Sequence, residues 1–263
     1  MRAYVEALGV RAPGLVGWAA TRPVLAGERG YVPAALEVPR ADLLPPAERR
    51  RTGLPVKLAL AVGQEVIESA RCDPADLPTV FCSSGGDGEV INEICQTLAG
   101  AQPEVSPTRF HNSVHNAPAG YWGIATRSTA ASVSLSCLDC SFAAGLLESA
   151  AQLATGTRRV LLVACDVPYP QPLGQARPLG APFACGVLLA GERGPATIAC
   201  LEVGIADGER ESTMPQPALE ELRRGNPAAR ALPLLSALAG REPARVVLDY
   251  VTGRQLSVDL TPC

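Results

Sequence analysis

The stretch that most constrains the fold runs from residue 110 to residue 166: FHNSVHNAPAGYWGIATRSTAASVSLSCLDCSFAAGLLESAAQLATGTRRVLLVACD. Its pattern predicts strand, sharp turn, helix and strand. Ser132 to Cys137 alternate and are rich in small and β-branched residues, which suits a buried strand. A helix should begin at Asp139 or Ser141. Phe142, Leu146, Leu147, Ala150 and Leu153 form its apolar face, and Gly156 stops it. Val160 to Ala164 is a continuous apolar run, expected of a strand covered on both faces. The turn between strand and helix N-terminus is where free amides and the helix dipole stabilise negative charge, so it is a natural place for a nucleophile or an anion.

Composition bounds what such a unit can be. The chain has 263 residues, about half of them hydrophobic and few aromatic, so Ala, Leu and Val must fill a large core. The net charge is −3 and Lys57 is the only lysine; no basic stripe exists to hold nucleic acid. Nine cysteines at scattered spacings argue against a disulfide framework and for a reducing, cytoplasmic setting. Glu6, Arg11 and the Pro and Gly residues after them argue against a signal peptide. No apolar run reaches the roughly 18 residues that a spanning helix needs.

Along the chain, residues 2–10 read as an opening strand and 11–54 mostly as loop. Pro45 to Arg51 ends in three arginines, a solvated helix start or, less commonly, a contact for an acidic partner. Val56, Ala59, Leu60, Val62, Val66, Ile67 and Ala70 make one face of a helix that opens near Pro55. Leu77–Cys82 reads as a strand, Ser83–Gly88 as a small-residue turn, and Gly88–Leu98 as a helix. Residues 101–113 read as loop, as does the proline-rich 167–182. Phe183–Ala190 and Thr197–Val203 read as strands. One or two helices fill 217–239, and Arg245–Val251 with Gln255–Leu260 closes as a hairpin. Strands alternating with helices up to about residue 165 predict an α/β fold with a mostly parallel central sheet.

Three constellations could carry chemistry. Cys137 and Cys140 form a CxxC, but no second pair offers a metal site, and small buried residues beside a turn are the commoner use. His111 and His115 are the only histidines; His115 with Cys140 or Cys137 would make a thiol nucleophile with its base, against the plainer reading of two loop histidines making hydrogen bonds. Ser-Ser-Gly-Gly-Asp-Gly, residues 83–88, lacks the ending of a phosphate loop and reads as a tight turn.

Taken in order, these segments resemble the N-terminal half of β-ketoacyl synthases, which have the thiolase fold. Leu54–Ala70 resembles the family's first long helix. Val80-Phe-Cys-Ser-Ser-Gly-Gly86 resembles its V-G-V-x-x-G-S-G segment. Val114-His-Asn-Ala-Pro-Ala-Gly120 resembles I-P-N-M-x-A-G, and Ser132–Ser141 resembles the strand and elbow V-S-x-x-x-A-C-S-S. HNSVHNAPAGYW followed by SFAAGLLE is more closely similar to the short chain-length-factor proteins of aryl polyene gene clusters. The resemblance covers residues 2–205; residues 206–263 are taken into the same single domain, 1–263, without it.

The resemblance implies a site that has lost its chemistry. Asp139 falls where synthases carry the acyl-accepting cysteine, Cys140 is one position late, and Asp139 is expected to cap the helix instead. No histidine follows 115 and no lysine follows 57, so the catalytic groups of a synthase's second half are missing. What it implies is therefore a non-catalytic subunit, without cofactor or metal. It would pair with an active β-ketoacyl-ACP synthase, meet the acyl carrier protein indirectly, and shape the acyl tunnel in aryl polyene or type II fatty-acid-like biosynthesis. The tunnel residues implied are Val90 and Ile94, flanked by Ile91 and Leu98; packing against this subunit's own sheet is their alternative use. The alternative function is an independent thiol acyltransferase or thioesterase using Cys140 or Cys137 with His115.

Overall fold

A computed structural model describes residues 1–263. The elements are β1 (Arg2–Ala12), β2 (Leu15–Val16), α1 (Trp18–Leu25), α2 (Pro46–Arg49), α3 (Leu54–Ala70), β3 (Thr79–Cys82), α4 (Gly88–Ala99), α5 (Pro107–Asn112), α6 (Ala117–Thr126), β4 (Ser132–Leu135), α7 (Ser141–Ala154), β5 (Arg159–Asp166), α8 (Leu173–Ala176), β6 (Phe183–Ala190), β7 (Ala199–Asp207), α9 (Pro217–Gly225), α10 (Leu232–Gly240), β8 (Ala244–Asp249) and β9 (Arg254–Pro262). One nine-stranded sheet runs β4-β3-β5-β6-β1-β7-β9-β8, with β2 paired to β1.

The α/β architecture is as expected, and the sheet itself is mixed. β3 is parallel to both β4 and β5, while β5, β6, β1, β7, β9 and β8 pair antiparallel in succession. The parallel character is thus confined to the three strands at the β4 end. The reason lies in what an apolar run reports. β6 is buried at every position because helices cover both faces, and that pattern carries no strand direction.

Side chains alternate between two cores. On one face Val80, Cys82, Leu162, Ala164 and Cys185 pack with Phe142 and Leu146 of α7 and with Leu232, Leu235 and Leu238 of α10. On the other, Phe81, Leu161, Val163 and Leu188 pack with Val62 and Val66 of α3 and Trp122 of α6. α3 lies close on the sheet because Gly9 and Gly186, paired on β1 and β6, present no Cβ. One added at Gly9 would sit 2.7 Å from the Val62 carbonyl oxygen.

Several local expectations are corrected. Residues 11–54 are mostly loop, as expected, but they also hold β2, α1 and α2; α1 was hidden by Pro23 inside it and by the absence of a side-chain cap at Gly17. Residues 101–113 hold α5, a helix too short to show periodicity. β4 is not a buried strand but the edge of the sheet, exposed or half-buried throughout.

Candidate functional site

The site lies where β3, β4 and β5 end, beside the turn between β4 and α7. A single turn of 3₁₀ helix, Leu138–Cys140, joins them. The left-handed residue is Leu138 (φ 49°), one before Asp139. Its side chain points outward, 65% exposed. Ser141 closes the turn: its Oγ accepts from the Cys137 amide and donates to the Leu138 carbonyl.

Asp139 does not cap α7. The cap position is Cys140, with no side-chain hydrogen bond, and the Asp139 carboxylate pairs instead with the Arg177 guanidinium at 2.7 Å. The proline-rich loop carrying Arg177 therefore folds back over the elbow. The sequence could not reveal this, because the partner is 38 residues away.

The Cys140 thiol is poorly suited to nucleophilic work. Cys140 is half-buried and its Sγ lies 3.8 Å from Asp249, so burial and then that carboxylate push its pKa up to about 12. The His115 ring donates from Nε2 to the Ser83 carbonyl oxygen at 3.0 Å, and His111 packs edge-on against Tyr121. Neither histidine is hydrogen-bonded to Cys137 or Cys140, so no thiol–imidazole pair is assembled. No group of three or more His, Cys, Asp or Glu is placed to hold a metal ion.

The glycine turn 83–88 binds the protein itself and offers no phosphate cradle. The Gly85 and Gly86 amides donate to Ser83 Oγ, and Asp87 caps α4 by accepting from the Val90 amide. Ser83 and Ser84 in turn converge on Asp166, a residue that sequence reading passed over. Asp166 Oδ1 accepts from both hydroxyls and from the Ser84 amide at 2.8–2.9 Å. Burial raises its pKa to about 6 against those donors.

Helix α4 starts from this turn and stands apart from both cores. Only Gly88 of its residues is buried; Val90 and Ile94 are half-buried, Ile91 is 36% and Leu98 55% exposed. Packing into this chain's own sheet is therefore not what these four residues do. Phe110, on the neighbouring α5, and Val114 just after it are also exposed. An open groove lined by His115, Asn116, Ala119, Gly120, Ser132 and Ser134 follows the free edge of β4.

The sheet with helices on both faces, and the strand–elbow–helix at the ends of its parallel strands, define a thiolase-like α/β protein. Residues 25–242 match the N-terminal domain of β-ketoacyl synthases, and the chain belongs to that family. Among solved structures, it is similar to one of the ketosynthase ApeO in complex with its chain length factor ApeC from Xenorhabdus doucetiae. The TM-score is 0.76 at 23% identity, over 98% of this chain and 99% of that one. It is likewise similar to the ishigamide ketosynthase/chain length factor, with a TM-score of 0.75 at 12% identity, over 100% of this chain and 99% of that one. A β-ketoacyl synthase from Burkholderia phymatum gives a TM-score of 0.70 at 14% identity, over 100% and 99%. The comparison with curated proteins finds no match.

Proposed function

We propose that this chain is a non-catalytic chain-length-factor subunit. It pairs with an active β-ketoacyl-ACP synthase and forms part of the wall of its acyl tunnel; aryl polyene or type II fatty-acid-like biosynthesis is the setting the motif similarity favours. The observation that carries the reading is α4. Its Val90, Ile91, Ile94 and Leu98 face is built apolar and is left outside both cores. An exposed apolar stripe, like an open strand edge, suits a surface that a partner covers.

The elbow supports the same reading. Asp139 cannot form a thioester and is engaged by Arg177, Cys140 is a poor nucleophile, and His115 is held by Ser83. We assign the acyl chemistry to the partner ketosynthase, with the carrier protein delivering its substrate there, and residues 206–263 to the same unit, whose sheet β7, β9 and β8 continue. No helix is long and apolar enough to cross a membrane. The cysteine pattern fits the cytoplasm.

The experiment is co-purification with a ketosynthase, followed by mass analysis of the product made with Val90→Phe and Ile94→Trp. A wall residue accepts the added volume and the product shortens while the complex stays assembled. Unchanged products from both variants in an intact complex would remove the tunnel assignment.

A further inference from the structure

Asp166 is the most deeply buried carboxyl group of the chain, 2% exposed, and the elbow's chemistry makes no use of it. Three donors converge on its Oδ1: Ser83 Oγ at 2.9 Å, the Ser84 amide at 2.8 Å and Ser84 Oγ at 2.8 Å. Those serines are the junction of everything around the site. Ser83 Oγ accepts from the Gly86 amide at 3.0 Å, and the Ser83 carbonyl oxygen accepts from His115. The Ser84 carbonyl oxygen accepts from Ser136 Oγ at the elbow, at 2.9 Å. The carboxyl is itself fixed from behind, since its backbone carbonyl accepts from the fully buried Asn226.

Three residues further along, Tyr169 closes on the same turn from the other side. A Cβ added at Gly88 would stand 2.2 Å from its Cδ1, and one at Gly85 would stand 2.1 Å from its hydroxyl oxygen. α4 has few other anchors. It packs mainly on α5, to which the half-exposed pair Glu93–Arg109 ties it. Where α4 stands is therefore set chiefly at its first residue.

We propose that Asp166 is the positioning residue of α4: through Ser83 and Ser84 it fixes the turn from which the helix starts, and so the place of the Val90–Ile94 face. Its part in setting product length rests on the chain-length reading above; its hold on α4 does not. What the turn needs is an acceptor at Oδ1, not a charge, so an amide should serve in its place.

Hydrogen exchange on the whole chain tests the hold, and product mass with the co-purified ketosynthase tests its consequence. Asp166→Ala should raise exchange of the α4 amides about tenfold while α7 stays protected, and should shift or broaden product length. Asp166→Asn should restore both. Ser84→Ala, a milder change that leaves the carboxyl in place, should give the same pattern at smaller amplitude, and it decides the matter if Asp166→Ala does not fold. Unaltered α4 exchange in Asp166→Ala and Ser84→Ala overturns the proposal, as does Asn failing as badly as Ala. If Val90→Phe shortens the product and Asp166→Ala loosens α4 without changing product length, the specificity role falls and the chain-length reading stands. If α4 loosens and neither variant changes the product, the chain-length reading falls and Asp166 keeps its hold on the helix.

Discussion

Arg177 and Asp139 meet at 2.7 Å and tie the proline-rich loop to the turn between β4 and α7. The pair is half-exposed, 33% and 51%, so water screens it. Asp139→Asn should therefore cost at most about 1 kcal/mol and leave product formation by the complex intact. Loss of product in an assembled complex would make Asp139 a working residue.

Alkylation should avoid the elbow. Cys95 and Cys263 are exposed, whereas Cys140 holds its proton up to about pH 12 and Cys82, Cys165 and Cys185 are buried. Iodoacetamide at mild pH, read by peptide mass, should label Cys95 and Cys263 first. Stoichiometric early labelling of Cys140 would revive the thiol-enzyme alternative.

Stability should respond to pH through two carboxyl groups of opposite sign. The folded state raises Asp166 from 3.8 to about 6, so it binds the proton more tightly than the unfolded chain does. Stability then falls as pH rises from about 4 to 6 and is flat above, a span of about 3 kcal/mol. Glu220 is held at about 2 by Arg223, and its contribution is lost as pH falls below about 4.5. For these two groups the maximum lies near pH 4. Denaturant melts across pH 4–7 should lose the upper slope in Asp166→Asn; an unchanged slope would place the titrating group elsewhere.

Gly63 lies in α3 against the Trp122 ring, and a Cβ there would approach Cζ3 to 2.6 Å. Alanine gains about 1 kcal/mol in helix propensity, but overpacking a buried indole costs about 1–3 kcal/mol. Gly63→Ala should therefore destabilise on balance. Combined with Trp122→Leu the alanine penalty should shrink, which a double-mutant cycle of thermal melts would measure.

Strong local signals made much of the fold legible. α3, α7, β5 and the β8–β9 hairpin stand where periodicity, Pro55, Gly156 and the Thr252-Gly253 turn put them. Strand direction was not legible, because β5, β6 and β1 are apolar whichever way they run. The site was half legible. The elbow, the glycine turn and the amphipathic α4 are local patterns, but its connections are not. Nothing around Asp166 marks it as the acceptor for serines some 80 residues earlier, and nothing in Asp139 announces Arg177. Local pattern also made Asp139 a good cap, and the ion pair outcompeted that role.

Edge strands commonly carry lysine, proline or a bulge that discourages pairing. β4 carries none: it is Ser-Val-Ser-Leu, and its outer backbone groups are unpaired. A chain made in excess of its partner would offer that edge, and the exposed Phe110 and Val114 nearby, to any copy of itself. Under the proposed pairing, balanced supply of the two subunits then becomes a condition of staying dispersed. Light scattering of the chain alone and with its ketosynthase would show the difference as self-association that the partner abolishes.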